Sequence, residues 1–77
     1  MNWITKDNKL TKEFLFNDFI EAFAFLTKVA IAAEKQNHHP EIYNVYNKVI
    51  ISLQTHDAGN IVTEKDYTLA NTIDTFI

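Results

Sequence analysis

The chain has 77 residues, a formal charge of −3, 47% hydrophobic content and no cysteine. That length predicts one domain over residues 1–77, and the composition is that of a folded chain rather than a disordered one. The missing cysteines exclude disulfide staples and thiolate metal sites, and the negative balance offers no basic surface for nucleic acid. No segment reads as a signal peptide or membrane span, so a soluble, cytoplasmic protein is expected.

Residues 2–7 and 9–16 read as two strands around an Asp7-Asn8 turn, because Asp and Asn tolerate the positive φ of tight hairpins. Leu10, Phe14 and Phe16 share one parity of the second strand, with Lys12 the exception among them. Asn17 or Asp18 caps a predicted helix over 18–37, with Glu21 near its first turn. At about 100° per residue, Phe19, Ala22, Phe23, Leu26, Val29, Ala30 and Ala33 form the face expected on the sheet. A second stripe, Ile20, Ala24, Thr27 and Ile31, is expected at a helix contact between subunits. So small an unstapled chain gains much from oligomerisation.

Pro40 disfavours helical geometry at His39 and ends the helix. Residues 42–46 and 48–55 read as strands joined tightly around Asn47. Val49, Ile51 and Leu53 take the core parity. Ser52, Gln54 and His56 take the other, which puts His56 on the open face or at the strand end. Residues 57–60 are loop. Thr63 followed by Asp66 starts a last helix over 64–77 with a capping-box-like pattern. That helix is expected to bury Leu69, Ala70, Ile73, Phe76 and Ile77. The order β-β-α-β-β-α predicts an α+β fold, a four-stranded antiparallel sheet with two helices on one face. The other sheet face is open to solvent, a ligand or a partner.

The chain's three histidines, His38, His39 and His56, are its neutral-pH proton carriers, since imidazole titrates near pH ~6.5. Acid–base chemistry is therefore the first functional hypothesis. The plainer reading makes His38 and His39 solvated residues against the negative end of a helix dipole, and His56 a strand-end surface residue. Adjacent residues in extended chain diverge, so one of the pair contacts a ligand while the other orients it or packs. Three histidines with Glu34 or Asp57 lack a His-x-x-x-His pair, and no metal site is expected. No serine sits in a nucleophile elbow, and the single Gly59 excludes a glycine-rich phosphate loop. Trp3 either stacks on a planar ring or fills an edge.

Four blocks carry a joint pattern: Ala33-Glu34-Lys35-Gln36-Asn37-His38-His39-Pro40-Glu41, Asn44-Val45-Tyr46-Asn47-Lys48-Val49, Thr55-His56-Asp57-Ala58-Gly59 and Thr63-Glu64-Lys65-Asp66. An aromatic stands six residues after Pro40, a histidine ten after that, and an aspartate ten further on. In this order and spacing the chain resembles the pterin-4a-carbinolamine dehydratases over nearly its whole length. Trp3 and the run from Phe19 to Ala30 match the family's tryptophan and long helix.

The resemblance implies dehydration of 4a-hydroxytetrahydropterin to quinonoid dihydropterin, serving an aromatic amino acid hydroxylase in tetrahydrobiopterin recycling. The pterin is substrate, and no cofactor is implied. By resemblance His38 and His56 are general acids, one for each face of the substrate, and His39 holds the pterin; all three are the catalytic candidates. Glu34 is an acidic group that orients a histidine or meets the amino-pyrimidine edge. Asn37, Gln54, Thr55 and Asp57 complete the substrate-contacting set with the histidines. A homodimer or homotetramer is implied, with no direct nucleic-acid or membrane partner. Three departures stand out: no helix precedes Trp3 where the family usually has one, Asn37 replaces a common aspartate, and the Gly59–Thr63 loop is one residue longer. The competing reading is a non-catalytic dimerisation, assembly or transcriptional cofactor of the same fold.

Overall fold

Two tight hairpins build the sheet of this computed structural model, which describes residues 2–77. In the first, β1 (Ile4–Lys6) and β2 (Lys9–Leu15) are joined through Asp7 and Asn8, whose φ angles of 53° and 61° are those of the predicted turn. In the second, β3 (Glu41–Val45) and β4 (Lys48–Leu53) turn at Tyr46-Asn47, with Tyr46 at φ 50°. Asn47 locks the two hairpins together: its amide donates to Phe16 O at 2.9 Å and its carbonyl accepts from Phe16 N at 2.9 Å. The strands lie in the order β1-β2-β4-β3, each neighbouring pair antiparallel.

Helix α1 (Phe19–Gln36) crosses between the hairpins, and α2 (Glu64–Asp74) follows a single 3₁₀ turn at His56–Ala58. Asp18 caps α1 by accepting from Glu21 N at 2.8 Å, and Glu21 reaches back to Asn17 N at 3.0 Å. The core lies between helices and sheet. Leu10, Phe14, Val49, Ile51 and Leu53 meet Ala22, Phe25, Leu26, Val29, Ala32 and Ala33 of α1, and Leu69, Ala70 and Ile73 of α2. No helix among the described residues is long and apolar enough to cross a membrane.

The expected α+β architecture is the observed one, with four corrections. First, α1 is rotated from the predicted face. Phe19, Phe23 and Ala30 are exposed, while Phe25 and Ala32 take their place inside. Phe25 is drawn in by Phe14 and Phe16, whose ring centroids lie 4.8 and 5.0 Å away. Second, Lys12 does belong to the core face: it is only 9% exposed, and its ammonium lies 2.7 Å from Asp74 Oδ1. Third, α2 stops at Asp74 rather than running to 77, leaving Ile77 70% exposed and Phe76 partly buried. Fourth, β1, β2 and β4 are shorter than the ranges predicted, most of all β1, which spans three residues instead of six, while β3 keeps its predicted length but starts one residue earlier, at Glu41. Trp3 takes the edge-filling role. It meets Phe14 edge-on at 5.9 Å, and its Nε1 donates to Asp74.

Candidate active site

α1 ends in a left-handed residue, and that single conformation places the histidine pair. Asn37 has φ 50° and ψ 44°; its N–H donates to Glu34 O at 3.2 Å and that of His38 to Ala33 O at 3.0 Å. This is a Schellman closure with asparagine where glycine is usual, and asparagine enters the left-handed region more readily than other side chains. The reversal folds His38 back onto the last turn of α1, where it is 8% exposed. His39 diverges from it, as adjacent residues in such a segment must. It is exposed, with Nε2 2.9 Å from Glu34 Oε1.

The chain leaving β4 forms a second wall. Thr55 N donates to Ile61 O at 2.9 Å, and Thr55 O accepts from Asn60 N at 3.1 Å. Gly59 takes φ 90° to let its N–H close on His56 O at 3.0 Å. This tight loop presents His56 at the strand end, exposed, with Nδ1 2.9 Å from Asn60 Oδ1.

The start of α2 joins the two walls. Thr63 is the N-cap, and Asp66 completes a capping box by accepting from Thr63 N at 2.8 Å. Asp66 is fully buried. Its Oδ2 also accepts from Thr55 Oγ1 at 2.9 Å, and its Oδ1 lies 2.5 Å from His38 Nε2. Thr63 Oγ1 and Thr55 Oγ1 are 2.7 Å apart and share a hydrogen bond. One carboxylate therefore ties together the end of α1, the end of β4 and the beginning of α2.

These elements enclose a cleft of about 200 Å³ lined by Asn37, His38, His39, Thr55, His56, Asp57 and Lys65. Six of the eight predicted site residues line it; Glu34 and Gln54 do not. Glu34 stands behind His39 as its hydrogen-bond partner. Gln54 Nε2 donates to Asn8 O at 3.2 Å and Asn60 O at 3.0 Å, so its amide ties the first hairpin to the His56 loop. Lys65 was not singled out from the sequence, whereas Asp66 stood out both as a capping residue and as the aspartate ten positions after His56. For Lys65 the one signal was its place in the Thr63–Asp66 block. A neighbouring hollow of about 350 Å³ shares His38 and Lys65 and continues along Gln36, Glu64 and Thr68.

A roomier cleft, about 500 Å³, lies elsewhere, lined by Lys12 to Phe16, Asp74 and Ile77. It is larger but chemically quieter, because the Lys12 and Asp74 charges it contains neutralise each other at 2.7 Å. The histidine cleft is where proton donors and acceptors converge, and there the chemistry outweighs size. Among the described residues no three histidines and carboxylates gather with metal-binding geometry. The arrangement suits a flat polar ligand. It brings three imidazoles, a group able to exchange protons, beside the Lys65 ammonium.

Comparison with known proteins places the same pattern in a family. The family model described as pterin 4 alpha carbinolamine dehydratase matches residues 1–76. A Prochlorococcus marinus (strain MIT 9312) protein, provisionally named a pterin-4-alpha-carbinolamine dehydratase, is 56% identical over 71 residues, 92% of this chain and 73% of its own. A Solibacter usitatus (strain Ellin6076) protein of the same provisional name is 53% identical, covering 94% of this chain and 75% of its own. Among solved structures, a transcriptional coactivator/pterin dehydratase from Brucella melitensis superposes with a TM-score of 0.92 at 40% identity, covering 97% of this chain and 81% of that one. A pterin dehydratase-like protein identified as a RuBisCO assembly factor in the alpha-carboxysome gives 0.83 at 25% identity, covering 99% and 89%.

Proposed function

Because the chain belongs to the pterin 4 alpha carbinolamine dehydratase family, we propose that it dehydrates 4a-hydroxytetrahydropterin to quinonoid dihydropterin and water. The observation that carries this reading is the convergence of His38, His39 and His56 on one cleft. In the reaction the C4a–O bond breaks as the hydroxyl takes a proton, the N5 proton leaves, and a C4a=N5 double bond forms. Both transfers suit groups that titrate near neutrality, each worth ~10²–10⁴-fold in rate. His38 and His56 reach the cleft from different walls, so each serves as acid toward one face of a planar ring. His39, steadied by Glu34, holds the ring. Asn37, Thr55 and Asp57 are the neighbouring groups for its polar edges, and Lys65 is a further one.

This reading makes the protein a consumer of the product of a tetrahydropterin-dependent aromatic hydroxylase, in the cytoplasm and without a cofactor of its own. It acts as a homodimer or homotetramer assembled through the outer face of α1, where Ile20 and Ile31 are 78% and 56% exposed. That face also supports the second reading, a binding or assembly role like the one named for the carboxysomal relative. Replacement of the histidines separates the two. His38→Ala and His56→Ala are each expected to slow dehydration of synthetic 4a-hydroxytetrahydropterin by about 10²-fold while the circular dichroism spectrum is kept. Variants that dehydrate as fast as the wild type would remove the histidines from the mechanism.

A further inference from the structure

Asp66 is a buried carboxylate that the dehydration does not use directly. We infer that it is a positioning residue: it fixes neutral His38 as the Nε2–H tautomer, so that Nδ1 is the atom presented to the pterin. The inference rests on the proposed reaction for its catalytic consequence, and on hydrogen-bond geometry alone for the tautomer.

Asp66 has no access to solvent, so its partners are all protein groups. Oδ2 receives the Thr63 N–H at 2.8 Å, which can only donate, and the Thr55 hydroxyl at 2.9 Å. The hydroxyl direction is set by its neighbours. Lys65 N donates to Thr63 Oγ1 at 3.3 Å, Thr63 Oγ1 passes its proton toward Thr55 Oγ1 at 2.7 Å, and Thr55 passes its own to Asp66. A carboxylate with two donors on one oxygen has its other oxygen left for His38 Nε2, 2.5 Å away. A carboxylate oxygen on that line can only accept, so the proton belongs to the ring. His38 then donates from Nε2.

The other ring nitrogen is free by elimination. His38 Nδ1 makes no hydrogen bond among the described residues, and no buried side-chain nitrogen or oxygen there lacks a partner. Nδ1 therefore reaches solvent, and the concave surfaces that His38 lines are the histidine cleft and the hollow beside it. A protonated Nδ1 delivers its proton to the departing hydroxyl, and the neutral ring left behind is the tautomer that Asp66 already holds. No ring flip is needed between turnovers.

The tautomer can be read without substrate. In the ¹⁵N-labelled full chain, at a pH where the imidazoles are neutral and with His38→Gln assigning the peaks, two-bond ¹H–¹⁵N spectra should show His38 Nε2 protonated and Nδ1 bare. A proton on Nδ1 in the wild type would overturn the inference. In Asp66→Asn the amide no longer offers two acceptor oxygens, and the tautomer preference should be lost or reversed. Turnover should then fall at least about tenfold with KM within about threefold. On a His38→Ala background the same change should cost nothing further, whereas an equal second loss would show that Asp66 does not act through His38. If Asp66→Asn does not fold, the wild-type spectrum still decides. A protein without dehydratase activity but with bare Nδ1 counts against the reaction alone. A reversed tautomer in an active protein counts against Asp66 alone.

Discussion

Lys12 carries its ammonium into the core side of the sheet, 5.1 Å from the Phe14 ring centroid and 5.8 Å from that of Trp3. Such a buried cation is stable only with a partner, and Asp74 is that partner. The two halves of the pair are therefore not equivalent under mutation. Asp74→Ala leaves the ammonium uncompensated and the Trp3 N–H without its acceptor, at an expected cost of about 2–4 kcal/mol. Lys12→Met keeps the volume and removes the charge, and should change stability by less than about 1.5 kcal/mol. Urea unfolding of the two variants checks the contrast; equal losses would mean that the pair acts through packing. Alternation along β2 places Lys12 on the apolar parity but gives no hint that an aspartate 62 residues on awaits it. Asp66 shows the same limit. Its spacing from Thr63 announces a cap, yet its second oxygen serves a histidine 28 positions away. Local patterns report local partners, and these sites depend on distant ones.

Helix α1 presents apolar residues on more of its circumference than one sheet can cover. Periodicity therefore locates the helix well but leaves its rotation open by about one residue. Three-dimensional complementarity settles it, because Phe25 fits beside Phe14 and Phe16. Phe25→Ala should cost about 3–5 kcal/mol in chemical unfolding. Phe23, 54% exposed with its ring tilted against that of Phe19 at 5.7 Å, should cost under about 1 kcal/mol when changed to alanine in dilute protein. Equal costs would contradict the observed rotation. The helix ends were more legible than its faces. Asp18 and the Thr63–Asp66 pair have chemistry that marks a boundary, and Pro40 forbids continuation, whereas Asn37 was not read as the cap it is. The end of α2 carries no such mark. Its apolar Phe76 and Ile77 extend the helical pattern, although at Thr75 and Phe76 the bonding has already tightened into 3₁₀-type turns onto Thr72 O and Ile73 O.

At the scale of the whole molecule, turn chemistry and strand parity together determine the topology, because two hairpins with two-residue turns and one crossing helix leave few ways to cover a single sheet face. The histidine cleft was legible only as a set. No one histidine indicates a site, but the end of α1, the exit of β4 and the start of α2 meet at Asp66 and bring all three together. The exposed stripe of Ile20, Phe23, Ala24, Thr27 and Ile31 lies on the far side of α1 from the core. It provides the surface for self-association under the proposed function. Ile20→Glu with Ile31→Glu should shift the species seen by sedimentation at micromolar concentration from oligomer to monomer with the fold kept; a wild-type monomer would sink that assembly. The central claim is catalytic, and the most direct measurement is the disappearance of freshly made 4a-hydroxytetrahydropterin in the presence of the purified wild-type chain. The account predicts first-order loss well above the spontaneous rate, proportional to protein concentration, with quinonoid dihydropterin as product. Loss at the spontaneous rate, whatever the protein concentration, would contradict it.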